Sequence, residues 1–204
     1  MYVPAAFRID EVQALGLLQR IGAAQLVTAT ADGPMATMMP WVFDADSGRL
    51  VGHMARGNAQ WRTEWIGPAM VLALGPDGYV TPSWYASKAE HGKVVPTWDY
   101  VAVQVQGPLT VHDDQAWVEA AVRRLTDRFE SERPEPWSVD DAPSDYIGSQ
   151  LRGIVGMEVR VDRIQAAVKM SQNRSEADIL GVVDGFMNQG SVELAEWVRG
   201  SRGA

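Results

Sequence analysis

The chain has 204 residues, of which 46% are hydrophobic and 22% charged, with a formal net charge of -8 and no cysteine. That length fits one domain, or one domain with an appendage, and buries a sizeable core, and the composition is globular, outside the disordered range. The lack of cysteine excludes disulfides, thiolate metal sites and cysteine nucleophiles, and the acidic balance argues against a broad electrostatic surface for nucleic acid.

The opening MYVPAAFRID has no basic region followed by an apolar run, so it does not read as a signal peptide. Apolar runs such as AMVLAL at 69–74 are too short to span a bilayer. The expectation is a soluble, cytoplasmic protein with no membrane partner.

In chain order, Asp10 caps a helix through about Arg20, with Val12, Leu15 and Leu18 on one side. AQLVTAT at 24–30 and PMATMMPWVF at 34–43 flank the hairpin signal Ala31-Asp32-Gly33. DADSG at 44–48 turns the chain into RLVGHM at 49–54, and NAQWRTEW at 58–65 predicts a short helix packing Trp61 and Trp65. PAMVLALG at 68–75 reads as a strand, GPDG at 75–78 as a turn, and YVTPSW at 79–84 as extended with Pro82 at an edge. The alternation of YVAVQVQGPLTV predicts a strand over 100–111.

The pattern then changes. Asp113 and Asp114 cap a helix through about Glu130 whose apolar stripe is Trp117, Ala121, Leu125 and Phe129. SERPEPWSVDDAPSD at 131–145 is a Pro-rich acidic connection, and a second helix follows over 143–152. IVGMEVRVDRI at 154–164 places Val155, Met157, Val159 and Val161 on one strand face, and AAVKM at 166–170 reads as a further strand. From about Glu176 the tail is helical, then frays through RGSRGA. Short strands followed by helices suggest a β-barrel with helical additions.

Catalytic signatures are missing. There is no GxGxxG after a strand, no GxxxxGK[ST], no GxSxG and no HExxH, and the histidines His53, His91 and His112 lack ligand spacing. No metal site is expected.

Only three basic residues are lysines, Lys88, Lys93 and Lys169, against 15 arginines. This reads either as bias against lysine or as compact point charges kept where a ligand needs them. Three polar clusters contain them or lie apart. GHMARGNAQW at 52–61 carries His53, Arg56, Asn58, Gln60 and Trp61. It reads either as a phosphate cradle, with a guanidinium and backbone N–H groups at a strand end, or as a strand-to-helix loop with an exposed arginine. SKAEHGKVVPTWDY at 87–100, with the preceding PSWYASK, spends Ser83, Lys88, Lys93, Thr97 and Trp98 on a segment that is neither a core strand nor an ordinary loop. KMSQNR at 169–174 groups Lys169, Ser171, Gln172, Asn173 and Arg174, and alone it reads as a solvated loop. Together the clusters supply cations for a dianion, amides for a heteroaromatic edge, and tryptophans for its face.

The series ATMMPW, GHMARGNAQW, GPDGYVTPSWYASKAEHGKVVPTWDYVAV, LTDRFE, PWSVDDAPSDYI, LRGIVGMEV and KMSQNRSEAD resembles the PaiB-like FMN-binding proteins, a family described as negative transcriptional regulators. The resemblance runs to about residue 185. It implies a mainly β fold with α additions, a six-stranded antiparallel split β-barrel with flanking helices. The domain would cover 1–185 with a helical insertion at about 113–152, followed by a helical tail over 186–204. It also implies a homodimer with FMN near the subunit interface. The segment Ala36, Thr37, Met38 and Met39 would then run its backbone along the flavin edge. His53, Arg56, Asn58, Gln60 and Trp61 would lie at the phosphate stretch, and Ser83, Lys88, Lys93, Thr97 and Trp98 in the longest motif. Lys169, Ser171, Gln172, Asn173 and Arg174 would approach from the partner subunit or the cleft's other side.

Three departures stand out. Met38-Met39-Pro40 stands where the family often has His-Leu-Pro, which removes a histidine from the ring. Asp99 stands where Asn is usual, so it either points away from the phosphate or weakens its binding, and Ser175 replaces a usual proline. The expected function is FMN binding of PaiB type with a regulatory role. The alternatives are an FMN-dependent oxidoreductase acting on a small substrate, or a haem-binding split barrel. Direct DNA binding is disfavoured by the charge.

Overall fold

A computed structural model describes residues 1–201, so the last three residues of the RGSRGA tail lie outside the described part. The chain clusters into two compact units: a larger one of Val12–Ala73 and Gln104–Gln165, and a smaller one of Met1–Glu11, Leu74–Val103 and Ala166–Ala204. Eight strands are present among the described residues where six were expected. The strand expected over 100–111 is divided into two, and the segments expected at 68–75 and 79–84 run together as one strand to Val80.

In the larger unit, α1 (Glu11–Ile21) buries Ala14, Leu17 and Leu18, while Val12 is exposed. β1 (Ala23–Thr30) and β2 (Gly33–Asp44) form the expected hairpin, antiparallel with Thr30 opposite Gly33. Gly33 has φ +119°, a left-handed value that suits glycine at the turn, and Thr30 Oγ1 donates to its carbonyl at 2.7 Å. β2 pairs with β3 (Arg49–Ala55) only through Trp41–Asp44. β3 pairs in turn with β7 (Ile154–Arg160), and β7 with β6 (Leu109–His112). On the other side of the hairpin, β1 pairs with the beginning of β4 (Ala69–Val80). All these pairs are antiparallel, which gives the local order β6-β7-β3-β2-β1-β4.

α3 (Gln115–Glu130) starts where the sequence places it: Asp114 accepts from the Trp117 N–H at 2.9 Å. Its buried face is Val118, Ala121 and Leu125, and Trp117 stacks on His112 with ring centroids 3.8 Å apart. A Cβ at Gly156 would stand 2.1 Å from the Trp117 ring, so the glycine is what lets the indole lie on β7. α4 covers Ser144–Leu151, and the predicted helix at 58–65 is only a single 3-10 turn, Gln60–Arg62.

In the smaller unit, the later part of β4, the earlier part of β5 (Thr97–Gly107) and the end of β8 (Arg163–Lys169) lie side by side in the order β4-β5-β8. The predicted turn at GPDG is not a turn, because β4 continues through it to Val80. Gly75 and Gly78 serve close packing: a Cβ there would stand 2.9 Å from Val101 and 2.7 Å from Leu194. α2 (Ser87–His91) ends at Gly92 in the left-handed conformation. α5 (Glu176–Asn188) is capped by Ser175, whose side chain accepts from the Asp178 N–H. It packs Phe186 against Trp84, ring centroids 5.1 Å apart. α6 (Val192–Gly200) is followed by buried Ser201, which donates to the Met170 carbonyl, so the tail is ordered to that point. Among the described residues no helix is long and apolar enough to cross a membrane.

Candidate functional site

The expected site residues fall into two sets, one in each unit. In the larger unit, alternation along β2 exposes Ala36 and Met38 and turns Thr37 inward, while Met39 is buried. The edge of Gly33–Pro40 away from β1 carries no strand pair among the described residues, and with Pro34 and Pro40 lacking an N–H its outward donors are those of Ala36 and Met38.

Thr37 belongs to a closed ring of hydrogen bonds. Asn58 Nδ2 donates to Thr37 Oγ1 at 2.8 Å, Thr37 Oγ1 donates to Gln60 Oε1 at 2.6 Å, and the Gln60 N–H donates to Asn58 Oδ1 at 2.8 Å. The Gln60 amide is buried and donates to the Thr28 hydroxyl and to the Leu26 and Met35 carbonyls. The Asn58 and Gln60 side chains therefore fix the 56–62 segment to the hairpin.

Arg56 is committed as well. Its Nε donates to the Arg152 carbonyl at 2.8 Å, and its Nη2 donates to the Ile154 carbonyl and to Asp113 at 2.5 Å. Trp61 donates to the Arg56 carbonyl, and the Arg62 guanidinium lies 5.1 Å from its ring centroid. His53 Nδ1 is buried without a hydrogen-bond partner, and burial pushes its pKa down, favouring neutral imidazole.

The set in the smaller unit carries more charge. Alternation at the start of β5 turns Trp98 outward, half exposed, and Asp99 inward, fully buried. Trp98 Nε1 donates to Asp77 at 2.8 Å, and its ring lies 6.1 Å from that of Tyr79. Asp99 Oδ2 accepts from the Ser171 hydroxyl at 2.8 Å, while Oδ1 accepts no hydrogen bond and meets Lys169 Nζ at 3.5 Å. Asp99 thus points away from solvent. Lys169 also donates to Thr97 Oγ1 and to the Trp98 carbonyl. Burial raises the Asp99 pKa, opposed by the Ser171 hydrogen bond and the Lys169 charge. Burial lowers the Lys169 pKa, opposed by Asp99 and reinforced by Arg174.

Gln172 clamps its own turn, accepting from the Met170 N–H and donating to the Val168 carbonyl. Asn173 is exposed, and Arg174 lies over Tyr85 at 4.6 Å from the ring centroid. On the adjoining segment, exposed Lys88 donates to the Ser83 hydroxyl at 3.0 Å. Asp178 accepts from both the Ser87 N–H and hydroxyl, which ties α2 to α5. Lys93 is exposed, its backbone N–H bonded to His91 Nδ1.

Sequence reasoning did not single out Thr28, Asp77, Tyr85 or Asp178. The Tyr85 hydroxyl is buried without a hydrogen-bond partner, and burial raises its pKa against the opposing charge of Arg174. The signal for Asp178 was its place three residues after Ser175, a capping pattern. Among the described residues no group of histidines and carboxylates could hold a metal ion.

The family model described as "Putative FMN-binding domain" matches residues 1–163. The protease synthase and sporulation protein PAI 2 of Bacillus subtilis is 33% identical over 193 residues, covering 93% of this chain and 90% of its own length. An uncharacterized protein of Emericella nidulans is 30% identical over 231 residues, covering 94% and 92%. Among solved structures, the FAD and heme binding protein from Mycobacterium smegmatis aligns with a TM-score of 0.58 at 17% identity, over 84% of this chain and 77% of its own. The flavocytochrome Anf3 of Azotobacter vinelandii aligns with a TM-score of 0.56 at 13% identity, over 78% and 67%. At such identities the likeness to the solved structures is one of fold, the split barrel with flanking helices.

Proposed function

This chain belongs to the FMN-binding-domain family whose model it matches, and from that premise we propose that it binds FMN, with the phosphate held in the smaller unit by Lys88, Ser83 and Arg174. The geometric observation that carries the assignment is the contrast between the candidate cations. Arg56 spends its guanidinium on two backbone carbonyls and Asp113. Lys169 is neutralised by Asp99. Lys88 is exposed beside a neutral hydroxyl, and Arg174, over the Tyr85 ring, sits on a turn whose Ser171 is held by Asp99. An ammonium, a hydroxyl and a guanidinium fit the charge and acceptors of a phosphate dianion. When bound, FMN would supply a redox-active ring. Lys88 and Arg174 would offset the repulsive background of a chain at -8, and exposed Trp98 offers an aromatic face.

The test is the absorption spectrum of freshly purified protein, followed by FMN titration with flavin fluorescence. The expected result is a yellow protein or one that quenches added flavin. Unchanged fluorescence and thermal stability would sink the cofactor assignment. A haem reading has one observation in its favour, His53, whose Nδ1 is buried without a hydrogen-bond partner and whose burial favours the neutral ring. A Soret band without any response to FMN would establish it instead.

The homodimer belongs to the same proposal. Light scattering should give twice 22.4 kDa, and a persistent monomer at micromolar concentration would contradict it. The name of the Bacillus relative concerns protease synthesis and sporulation. For this chain we carry that over as a regulatory role exercised through a protein partner, since the acidic charge opposes a direct grip on DNA.

A further inference from the structure

We propose that Asp99 is a positioning residue for the ligand-facing turn 171–174: it touches no ligand, and it sets where Arg174 stands by holding Ser171 and Lys169. The inference rests on the FMN reading above.

Among the described residues, Ser171 is the one non-glycine residue with positive φ, 58°. A serine in that region costs on the order of 1 kcal/mol, so the surroundings must hold it there. The holding contact is the Ser171 hydroxyl donating to Asp99 Oδ2, with both residues buried. Two residues earlier, the Lys169 ammonium meets the other oxygen of the same carboxylate. One side chain of β5 therefore grips both ends of 169–171. The Arg174 N–H closes the turn onto the Ser171 carbonyl at 2.9 Å, so the position of Arg174 follows from that of Ser171. Gln172 supports the same geometry from its own backbone neighbours.

The charges make the inference separable from simple electrostatics. Asp99 is faced by Lys169 from β8 and Ser171 from the turn, and its charge is felt by Tyr85. Lys169 is faced by Asp99, by Arg174 and by the Phe7 ring, 5.8 Å from its centroid. Asp99 and Lys169 cancel, and Arg174, whose charge also acts on Asp178 of α5 and on Tyr85, is the turn's remaining cation. Deleting the Asp99 carboxylate would tighten an anion if only charge mattered. A positioning role predicts the opposite sign.

The experiment is FMN titration of the full chain as wild type, Asp99→Ala, Asp99→Asn and Ser171→Gly. It is paired with pH titration of the lysine ammonium signals by NMR in the protein without added FMN. Three lysines make that spectrum simple, and loss of one signal in Lys169→Gln assigns it. Asp99→Ala should weaken FMN binding about tenfold despite removing a negative charge. Asp99→Asn, which keeps an acceptor for Ser171, should recover most of the affinity. The Lys169 titration midpoint should fall in both variants, because burial then acts without the opposing carboxylate. Ser171→Gly relaxes the backbone but deletes the pin, and should weaken binding severalfold. It and Asp99→Asn carry the test if Asp99→Ala does not fold. FMN binding that is unchanged or tighter in the variants, with the Lys169 midpoint unmoved, overturns this inference alone. A wild type that ignores FMN overturns the functional reading and the inference with it.

Discussion

The two units each fix a candidate loop with a buried polar network, and they do it on opposite terms. Around Gln60 every group is neutral, and Thr28, Thr37, Asn58 and three backbone groups exchange complementary bonds. Around Asp99 the network is ionic and unsaturated, with one carboxylate oxygen left to an ion pair at 3.5 Å. A neutral, saturated network replaces water bonds almost one for one, and each bond nets about 1 kcal/mol. A buried ion pair must offset the desolvation of two charges, so it is weak as a source of stability and informative as a means of placing groups. The larger unit thus holds its loop with a stabilising lock. The smaller unit holds its turn with a contact whose value lies in geometry, beside the cations assigned to the phosphate.

The largest expected effect comes from breaking the ionic side. Lys169→Met strands a fully buried carboxylate and should cost about 3 kcal/mol at neutral pH. The sign of its pH dependence follows from the raised Asp99 pKa. The loss should be full well above that pKa and shrink as pH falls through it and below the ordinary value of 3.8, where the carboxyl is protonated folded and unfolded alike. Thermal melts of wild type and variant across the acid range check this. A deficit that grows as pH falls would show that Asp99 is not the group left behind.

A smaller effect is expected on the neutral side. Gln60→Leu keeps the volume and removes the amide, leaving the Thr28 and Thr37 hydroxyls short of partners, at about 2 kcal/mol. The loss should be flat with pH, since no member of that network titrates. A pH-dependent loss would erase the distinction drawn between the two networks.

The smallest effect is assigned to Arg56. Its pair with Asp113 is exposed, so Arg56→Ala should lower the melting temperature only slightly, with that part of the loss screened by salt. Because the guanidinium is committed to Arg152, Ile154 and Asp113, the substitution should not separate FMN from riboflavin.

Much of this architecture was legible in the sequence because it rests on local rules. The β1–β2 hairpin, the Asp114 cap and the alternation of Val155, Met157 and Val159 all follow from neighbours in the chain. What failed to show was set by distant packing. Gly75-Pro76-Asp77-Gly78 has turn chemistry, yet β4 passes through it because Val101, Leu194 and Phe186 crowd its glycines. The strand predicted over 100–111 divides at Gly107-Pro108, where a Cβ would stand 1.7 Å from the Arg160 carbonyl. At the site, the sequence grouped the polar residues but not their directions. Gln60, Gln172 and Asp99 look alike in a string of polar letters, and only the fold shows that their side chains are spent on the protein. Lys88 and Lys93 are exposed.

The central claim is that the chain binds FMN and that its phosphate rests on the smaller unit. The most direct measurement is paired titration of FMN and riboflavin against wild type, Lys88→Ala and Arg56→Ala. FMN should bind the wild type, and Lys88→Ala should lose about tenfold for FMN with riboflavin little changed. Arg56→Ala should leave the ratio of the two affinities as in the wild type. A wild type indifferent to both flavins, or a selective loss of FMN in Arg56→Ala with none in Lys88→Ala, would contradict it.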